Sequence, residues 1–318
     1  MGKILLTADW HIKLGQKNVP KEWQKARYTQ LYDKINELDY DIHIIAGDVF
    51  DNAKPSLEEV SLFVEYLLST KRDTLIIGGN HEMVSKRVSS LDNLEPLATA
   101  LNSLLATVPQ QFNIGDFSLD VLPYKYLKEY EKKVWPKKSD ILITHVRGAI
   151  EPYVMPEIDL TTFDQYKIVL AGDLHHYHQQ RNILYPGSPL TTSFVRSTDI
   201  KKGGIMFDTK TFKHEFIDFE LPQLRRTTVS NPDDMIQTEY DHTIYELEAD
   251  AATLKTVKDN ELLDKKIAET EKVDSVLELD GLEMSEELYE YLSKVISLKE
   301  EEIHSIQETY SEVIDDTN

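Results

Sequence analysis

Apolar residues in this chain fall in short runs that alternate with stretches of helical spacing. Ile4-Leu5-Leu6 is such a run, and its abrupt stop at polar residues predicts a buried strand. Trp23, Ala26, Leu31, Ile35 and Leu38 recur at helical intervals and predict a helix over 22–38. A strand over 42–46, a helix over 56–69 and a third short strand over 74–77 follow. Residues 90–108 read as a helix and a short strand, and 112–114 with 117–122 as a hairpin about Gly115-Asp116. Trp135-Pro136 with Lys137 and Lys138 marks a loop before two more buried strands, 141–144 and 168–171, and strands 204–207 and 214–219 close a sandwich. This alternation predicts an α/β fold.

Beyond that point the pattern changes. A strand over 243–247, a charged helix over 251–270 and a strand over 273–279 predict a small α/β cap. Leu288, Leu292, Val295, Ile303, Ile306, Tyr310 and Val313 then trace an intermittent helical stripe, which either packs on its own cap or docks a partner helix. Charge changes with the pattern: residues 229–318 carry 26 acidic and 7 basic side chains, so −19 of the net −21 lies there and the front of the chain is nearly neutral. The expected organisation is a domain over 1–222, a cap over 223–283 and an acidic, helical, partner-binding segment over 284–318, with the boundary between Pro222 and Pro232.

Composition narrows the chemistry. With no cysteine, disulfides, thiolate zinc sites and cysteine nucleophiles are excluded, so any metal must be held by histidines, carboxylates and amides. No apolar run approaches the ~20 residues of a membrane span. The apolar start is cut by Asp9 too early for a signal peptide, and Leu6 stands where an acylation motif wants Ser or Thr. A cytoplasmic protein with no membrane partner is expected.

Three times a predicted strand runs into a polar cluster: Asp9-Trp10-His11, Gly47-Asp48-Val49-Phe50-Asp51 and Gly78-Gly79-Asn80-His81-Glu82. Glycines at the strand ends let the backbone turn sharply and approach an ion. The residue types fit a two-metal centre. Asp48 can bridge two cations, Asp9 and His11 can complete one, the Asn80 oxygen can begin the other, and His81 is free to act as an acid. Two such cations hold the attacking and leaving oxygens of a phosphoryl displacement and lower the pKa of a bound water to roughly 7, giving hydroxide at neutral pH. His145 and His175 recur in the same context after the strands over 141–144 and 168–171, the second within Gly172-Asp173-Leu174-His175-His176-Tyr177-His178. The basic pairs Lys86-Arg87, Lys137-Lys138, Lys201-Lys202 and Arg225-Arg226 could contact phosphates without reading sequence, with Lys86, Arg87, Lys201 and Lys202 as the leading candidates.

The order Asp-x-His, Gly-Asp-x-x-Asp, Gly-Asn-His-Glu resembles the calcineurin-like metallophosphoesterase superfamily. With the histidine cluster and the Gly/Pro turn over 185–194, it resembles most the SbcD-type nuclease subunits of double-strand-break repair and the phage recombination exonuclease subunits. The resemblance covers 3 to about 220. It implies a four-layer α-β-β-α sandwich and a manganese-dependent DNA exonuclease or endonuclease, with magnesium as the alternative metal. It also implies work with an SMC-like coiled-coil ATPase in recombination, replication or repair, a homodimer, and the host cytoplasm if phage-encoded. By the resemblance Asp9, His11, Asp48 and His175 hold one ion, and Asp48, Asn80, His145 and Asp173 the other. His81 assists the leaving group, and Asp51 is a second catalytic candidate at a position often occupied by histidine in repair members. Asp173 stands where the usual box has its first histidine. Two registers are therefore open: Asp173 with His175 at the strand end, which is preferred, or His176 with His178 after a slip. A small phosphoester or phosphoprotein substrate, and a non-catalytic scaffold for the ATPase, are the competing readings.

Overall fold

The computed structural model describes residues 2–132, 136–150, 154–196, 201–236, 240–267, 284–296 and 298–315. In chain order its first half runs β1 (Lys3–Thr7), α1 (Lys21–Glu37), β2 (Ile42–Ala46), α2 (Leu57–Ser69), β3 (Asp73–Ile77), the short hairpin β4 (Met83–Ser85) and β5 (Val88–Ser89), α3 (Glu95–Ala100), β6 (Ser103–Ala106), β7 (Gln110–Ile114) and β8 (Phe117–Leu122). Next come α4 (Leu127–Tyr130), β9 (Ile141–His145), β10 (Ile168–Gly172), β11 (His178–Gln180), β12 (Ile183–Tyr185), β13 (Gly203–Asp208) and β14 (His214–Asp218). The remainder is β15 (Leu224–Val229), β16 (His242–Ala249), α5 (Ala251–Thr256), β17 (Leu263–Ile267), α6 (Met284–Glu290), a π turn over Tyr291–Val295 and α7 (Glu300–Asp315).

Two six-stranded sheets, ordered β14-β13-β1-β2-β3-β6 and β11-β12-β10-β9-β8-β7, make the sandwich. The pairs β1–β2, β2–β3 and β9–β10 are parallel, so their carboxyl ends lie on one edge of each sheet. Side-chain alternation sets the layers. Ile4, Leu6, Ile42, Ile44, Leu75 and Ile77 face Leu119, Val121, Ile143, Leu170 and Leu184 of the other sheet. Leu5, Ile45 and Ile76 point the opposite way, against Tyr28, Leu31 and Ile35 of α1 and Leu62, Phe63 and Tyr66 of α2. Leu142, Val169 and Ile183 of the second sheet are covered by Leu127, Tyr130, Leu160, Phe163 and Tyr166, which come from α4 and short turns. The result is the α-β-β-α order expected, with a thin fourth layer. Each of these buried side chains contributes roughly 1.5–3 kcal/mol by leaving water. Ser56 and Glu59 start α2 with a capping box, and the same Glu59 accepts from the Leu14 backbone N–H at 2.8 Å, tying the helix to the loop after the first candidate ligands.

The later chain departs from its pattern. Instead of one helix over 251–270 there is α5, capped by Asp250, and then β17, because the apolar spacing gives out after Leu254 and an Asn260 side-chain turn redirects the chain. The strands β15, β16 and β17 pair in that order. The strand expected over 273–279 and Trp135 lie outside the described residues. By compactness the chain divides into one unit of residues 1–228, 233–246 and 260–264 and another of 229–232, 247–259 and 265–318. In the terminal stripe Leu292 and Ile303 are buried while Val295 and Ile306 are exposed, as are Tyr291 and Ile296, which lie outside the stripe. No helix among the described residues is long and apolar enough to cross a membrane.

Candidate metal centre

The expected ligands converge where the carboxyl ends of β1, β2, β3, β9 and β10 meet. Backbone bonds lock the loops together: the Asp9 N–H donates to Gly47 O (3.0 Å) and the His11 N–H to Asp48 O (3.0 Å). The His145 Nδ1 lies 2.8 Å from Ala46 O, linking the two sheets. Asp9, His11, Asp48 and Asp173 all have positive φ, 55°, 45°, 51° and 107°. Holding four non-glycine residues there costs roughly 1–3 kcal/mol each, strain that surrounding structure must sustain. Gly79 serves a different need, close approach: a Cβ there would stand 2.1 Å from Asp48 Oδ1 and 2.6 Å from its backbone nitrogen.

Among the described residues, three sets of candidate ligands have their donor atoms within 4.8 Å of one another: Asp9, His11 and His175; His11, Asp48 and His81; and Asp9, Asp48 and His145. The His11 and His175 Nε2 atoms face each other at 3.1 Å. Asp48 Oδ2 lies 3.5 Å from His145 Nε2, 3.7 Å from His11 Nε2 and 4.0 Å from His81 Nε2, while its Oδ1 accepts the His81 N–H at 2.9 Å. Asn80 Oδ1 is 2.8 Å from His145 Nε2. Asp173 lies at the rim of the cluster: its Oδ1 is 3.8 Å from His145 Nε2, its Oδ2 accepts from Arg147 Nε at 3.2 Å, and its backbone N–H donates to Asp9. His175, not His176 or His178, meets His11; the His176 and His178 rings face one another at 5.8 Å.

Electrostatics here are those of a cluster short of positive charge. Burial drives the Asp9 carboxyl well above its ordinary value, with Asp48 and Asp173 adding to the push against His145. Burial also lowers the His11 imidazole to about 3. At Asp48 and His145 burial again opposes charge, but their mutual attraction outweighs it, holding the carboxyl below and the imidazole well above their usual ranges. The His11 Nδ1 is buried with no hydrogen-bond partner among the described residues, 3.6 Å from Asp51 Oδ1. Buried carboxylates, an amide oxygen and imidazole nitrogens that converge in one cluster fit divalent cations, which supply the missing charge.

Other expected residues take less direct places. Asp51 points its carboxylate at His11 and at Lys13 (2.7 Å), and its backbone carbonyl accepts from His81 Nδ1 at 2.7 Å. The Lys202 ammonium does not stand free: it donates to the His175 carbonyl, and burial lowers its pKa to about 8. Arg87 pairs with Glu129 at 2.6 Å. Lys86 and Lys201 are exposed.

Several residues with no role assigned from sequence stand at the site. Glu82 is fully buried and accepts the Phe50 N–H and the Gly79 N–H, both at 2.8 Å, clamping two ligand loops together; burial raises its pKa to about 7. Its place in the Gly-Asn-His-Glu run was the available signal. Arg147 lines the cleft beside Asp48, Asn80 and His81, a space of about 290 Å³. Thr192 Oγ1, in the Gly/Pro turn over 185–194, sits 3.3 Å from His175 Nδ1, where it can fix that ring.

The chain is 40% identical to the "Probable exonuclease subunit 1" of Escherichia phage T5, over 99% of this chain and all of that one. It is 25% identical to the D subunit of the SbcCD nuclease of Staphylococcus epidermidis over 60% of this chain and 62% of that protein. The family described as calcineurin-like phosphoesterase matches residues 2–177, a span that contains every proposed metal ligand, and the chain belongs to that family.

Proposed function

We propose that the protein is a manganese-dependent DNA nuclease subunit that hydrolyses phosphodiesters. The observation that carries the reading is the convergence of Asp9, His11, Asp48, Asn80, His145 and His175 at one sheet edge in an open cleft. Likeness along the whole chain to a phage exonuclease subunit supports DNA as the substrate. In this reading Asp9, His11, Asp48 and His175 hold one cation and Asp48, Asn80, His145 and Asp173 the other. Bound there, the cations would supply Lewis acidity toward the phosphate and a water acidified to near neutral pH. The residues do the rest. His81, its Nδ1–H donated to Asp51 O, presents Nε2 toward the cleft; in the imidazolium form it passes the Nε2 proton to the leaving oxygen and is left neutral. Asp51 therefore acts through His81 and His11 as a positioning residue. Glu82 keeps the Asp48 and Asn80 loops in register.

Both relatives are named as subunits, which supports a partner subunit; we propose that this partner is an SMC-like ATPase acting with the chain on DNA ends in the host cytoplasm. The acidic segment 284–318, with Tyr291, Val295, Ile296 and Ile306 exposed, is the proposed docking surface. The test is incubation of purified protein with manganese and linear DNA, and separately with p-nitrophenyl phosphoesters, with and without the ATPase. Cleavage of DNA supports the reading. Hydrolysis of monoesters with intact DNA would assign a small-phosphoester enzyme, and inactivity on both with retained ATPase binding would assign a scaffold.

A further inference from the structure

On this acidic chain one cleft is basic. The loop that bears Asn80 and His81 continues directly into β4, and beside that hairpin lies a cleft of about 470 Å³ lined by Lys86, Arg87, Lys125, Lys128 and Lys132 against the acids Glu129 and Glu157. That size is within the roughly 300–1,000 Å³ of ordinary ligand clefts. Two of its cations are already compensated, Arg87 by Glu129 at 2.6 Å and Lys125 by Asp92 at 2.5 Å. Lys86, Lys128 and Lys132 are exposed, and none of them forms an ion pair among the described residues.

The basic cleft adjoins the metal centre through two residues. Tyr124 lines it, bonds its backbone N–H to Gly78 O at 3.4 Å, and sets its ring edge-on to His145 with centroids 5.9 Å apart. Glu157 lines it too, and accepts the backbone N–H of Arg147, which itself lines the metal cleft, at 3.1 Å. A phosphodiester chain that left Asp48, Asn80 and His81 along β4 would enter this cleft. There it meets uncompensated ammonium groups and a tyrosine ring, the combination that grips a single strand by its phosphates and stacks its bases. Lysines of this kind position the backbone without reading sequence.

We propose that this cleft seats one DNA strand next to the scissile phosphate, with Lys86, Lys128 and Lys132 neutralising consecutive backbone phosphates. The proposal rests on the nuclease reading and adds the strand's path to it. It replaces the Lys86-Arg87 pair with a triad in which Arg87 serves to hold Glu129.

The test is fluorescence anisotropy of a short labelled single strand with phosphorothioate linkages, which resist cleavage, on the full chain in manganese over a series of potassium chloride concentrations. The variants are Lys86→Glu/Lys128→Glu/Lys132→Glu and a control, Lys71→Glu/Lys210→Glu. The control residues are exposed at the amino-terminal ends of β3 and β1, opposite the centre. Each phosphate left without its lysine removes roughly 0.7 from the salt slope of a single strand, so the triple variant should flatten the slope by about 2 while the control leaves it unchanged. An unchanged slope in the triple variant, or equal flattening in the control, overturns the cleft while leaving DNA cleavage by the parent intact. A parent that neither binds nor cuts DNA overturns the nuclease reading and the cleft with it.

Discussion

Replacing His43 should remove a defined part of the protein's acid sensitivity. His43 lies on β2 on the helix-facing side of the sheet, fully buried, between Thr7 Oγ1 at 2.8 Å from Nε2 and the Tyr66 hydroxyl at 2.5 Å from Nδ1. Thr7 in turn accepts from Trp10 Nε1 at 2.9 Å, so the network reaches the residue between Asp9 and His11. Burial lowers the His43 pKa from 6.5 to about 3. In the folded chain the ring is neutral, whereas in the unfolded chain it takes a proton near its ordinary value. Below that value the unfolded state binds one more proton than the native state, so stability falls as pH drops, until the native ring also protonates near 3. At about 1.4 kcal/mol per pH unit, the contribution is roughly 2 kcal/mol between about pH 7 and about pH 5, and roughly 5 kcal/mol at the acid limit. The assay is urea unfolding of the parent and His43→Gln across that range with chelator present; taking the difference cancels the other titrating groups. The parent should lose roughly 2 kcal/mol more than the variant between those pH values. Parallel pH profiles would refute the reasoning, as would an NMR titration of His43 with a midpoint near 6.

Three further outcomes follow from the site. His81→Ala should keep its metals, measured by elemental analysis, and lose roughly 100- to 10,000-fold in phosphodiester cleavage; a drop in metal content would make His81 a ligand, as its place near His11 and Asp48 permits. Asp173→Ala should lose one of two cations and Asp173→His should retain substantial activity, whereas His176→Ala/His178→Ala should keep both cations; the reverse pattern of metal counts would move the ligand assignment to the slipped register. Gly79→Ala places a Cβ 2.1 Å from Asp48 Oδ1, so it should weaken binding of both cations in calorimetry and lower stability by roughly 1–3 kcal/mol; unaltered manganese binding would show that the loop yields freely.

Much of this architecture was legible because buried parallel strands read as unbroken apolar runs, and each proposed ligand lies at or just after the end of such a run. Ile42–Ala46 before Asp48 and Ile168–Gly172 before Asp173 are the clearest cases. The motifs themselves mark Asp9, His11, Asp48, Asn80 and His81 as candidates. What the sequence concealed depends on residues far apart in the chain: Arg147 against Asp173, Thr192 against His175, and Lys202 against the His175 carbonyl. Spacing cannot reveal such pairs. The misread helix over 251–270 has a local cause. Its charged residues satisfy a helical pattern as readily as the exposed strand β17, and only pairing with β16 decides between them.

The central claim, a two-cation centre bridged by Asp48, is tested most directly by counting manganese bound to the purified chain and to Asp48→Asn in equilibrium titration. The account predicts two ions per parent chain and weakened binding of both in the variant, because one carboxylate serves both ions. A parent chain that binds one ion or none, or an Asp48→Asn chain that still binds two with parental affinity, would contradict it.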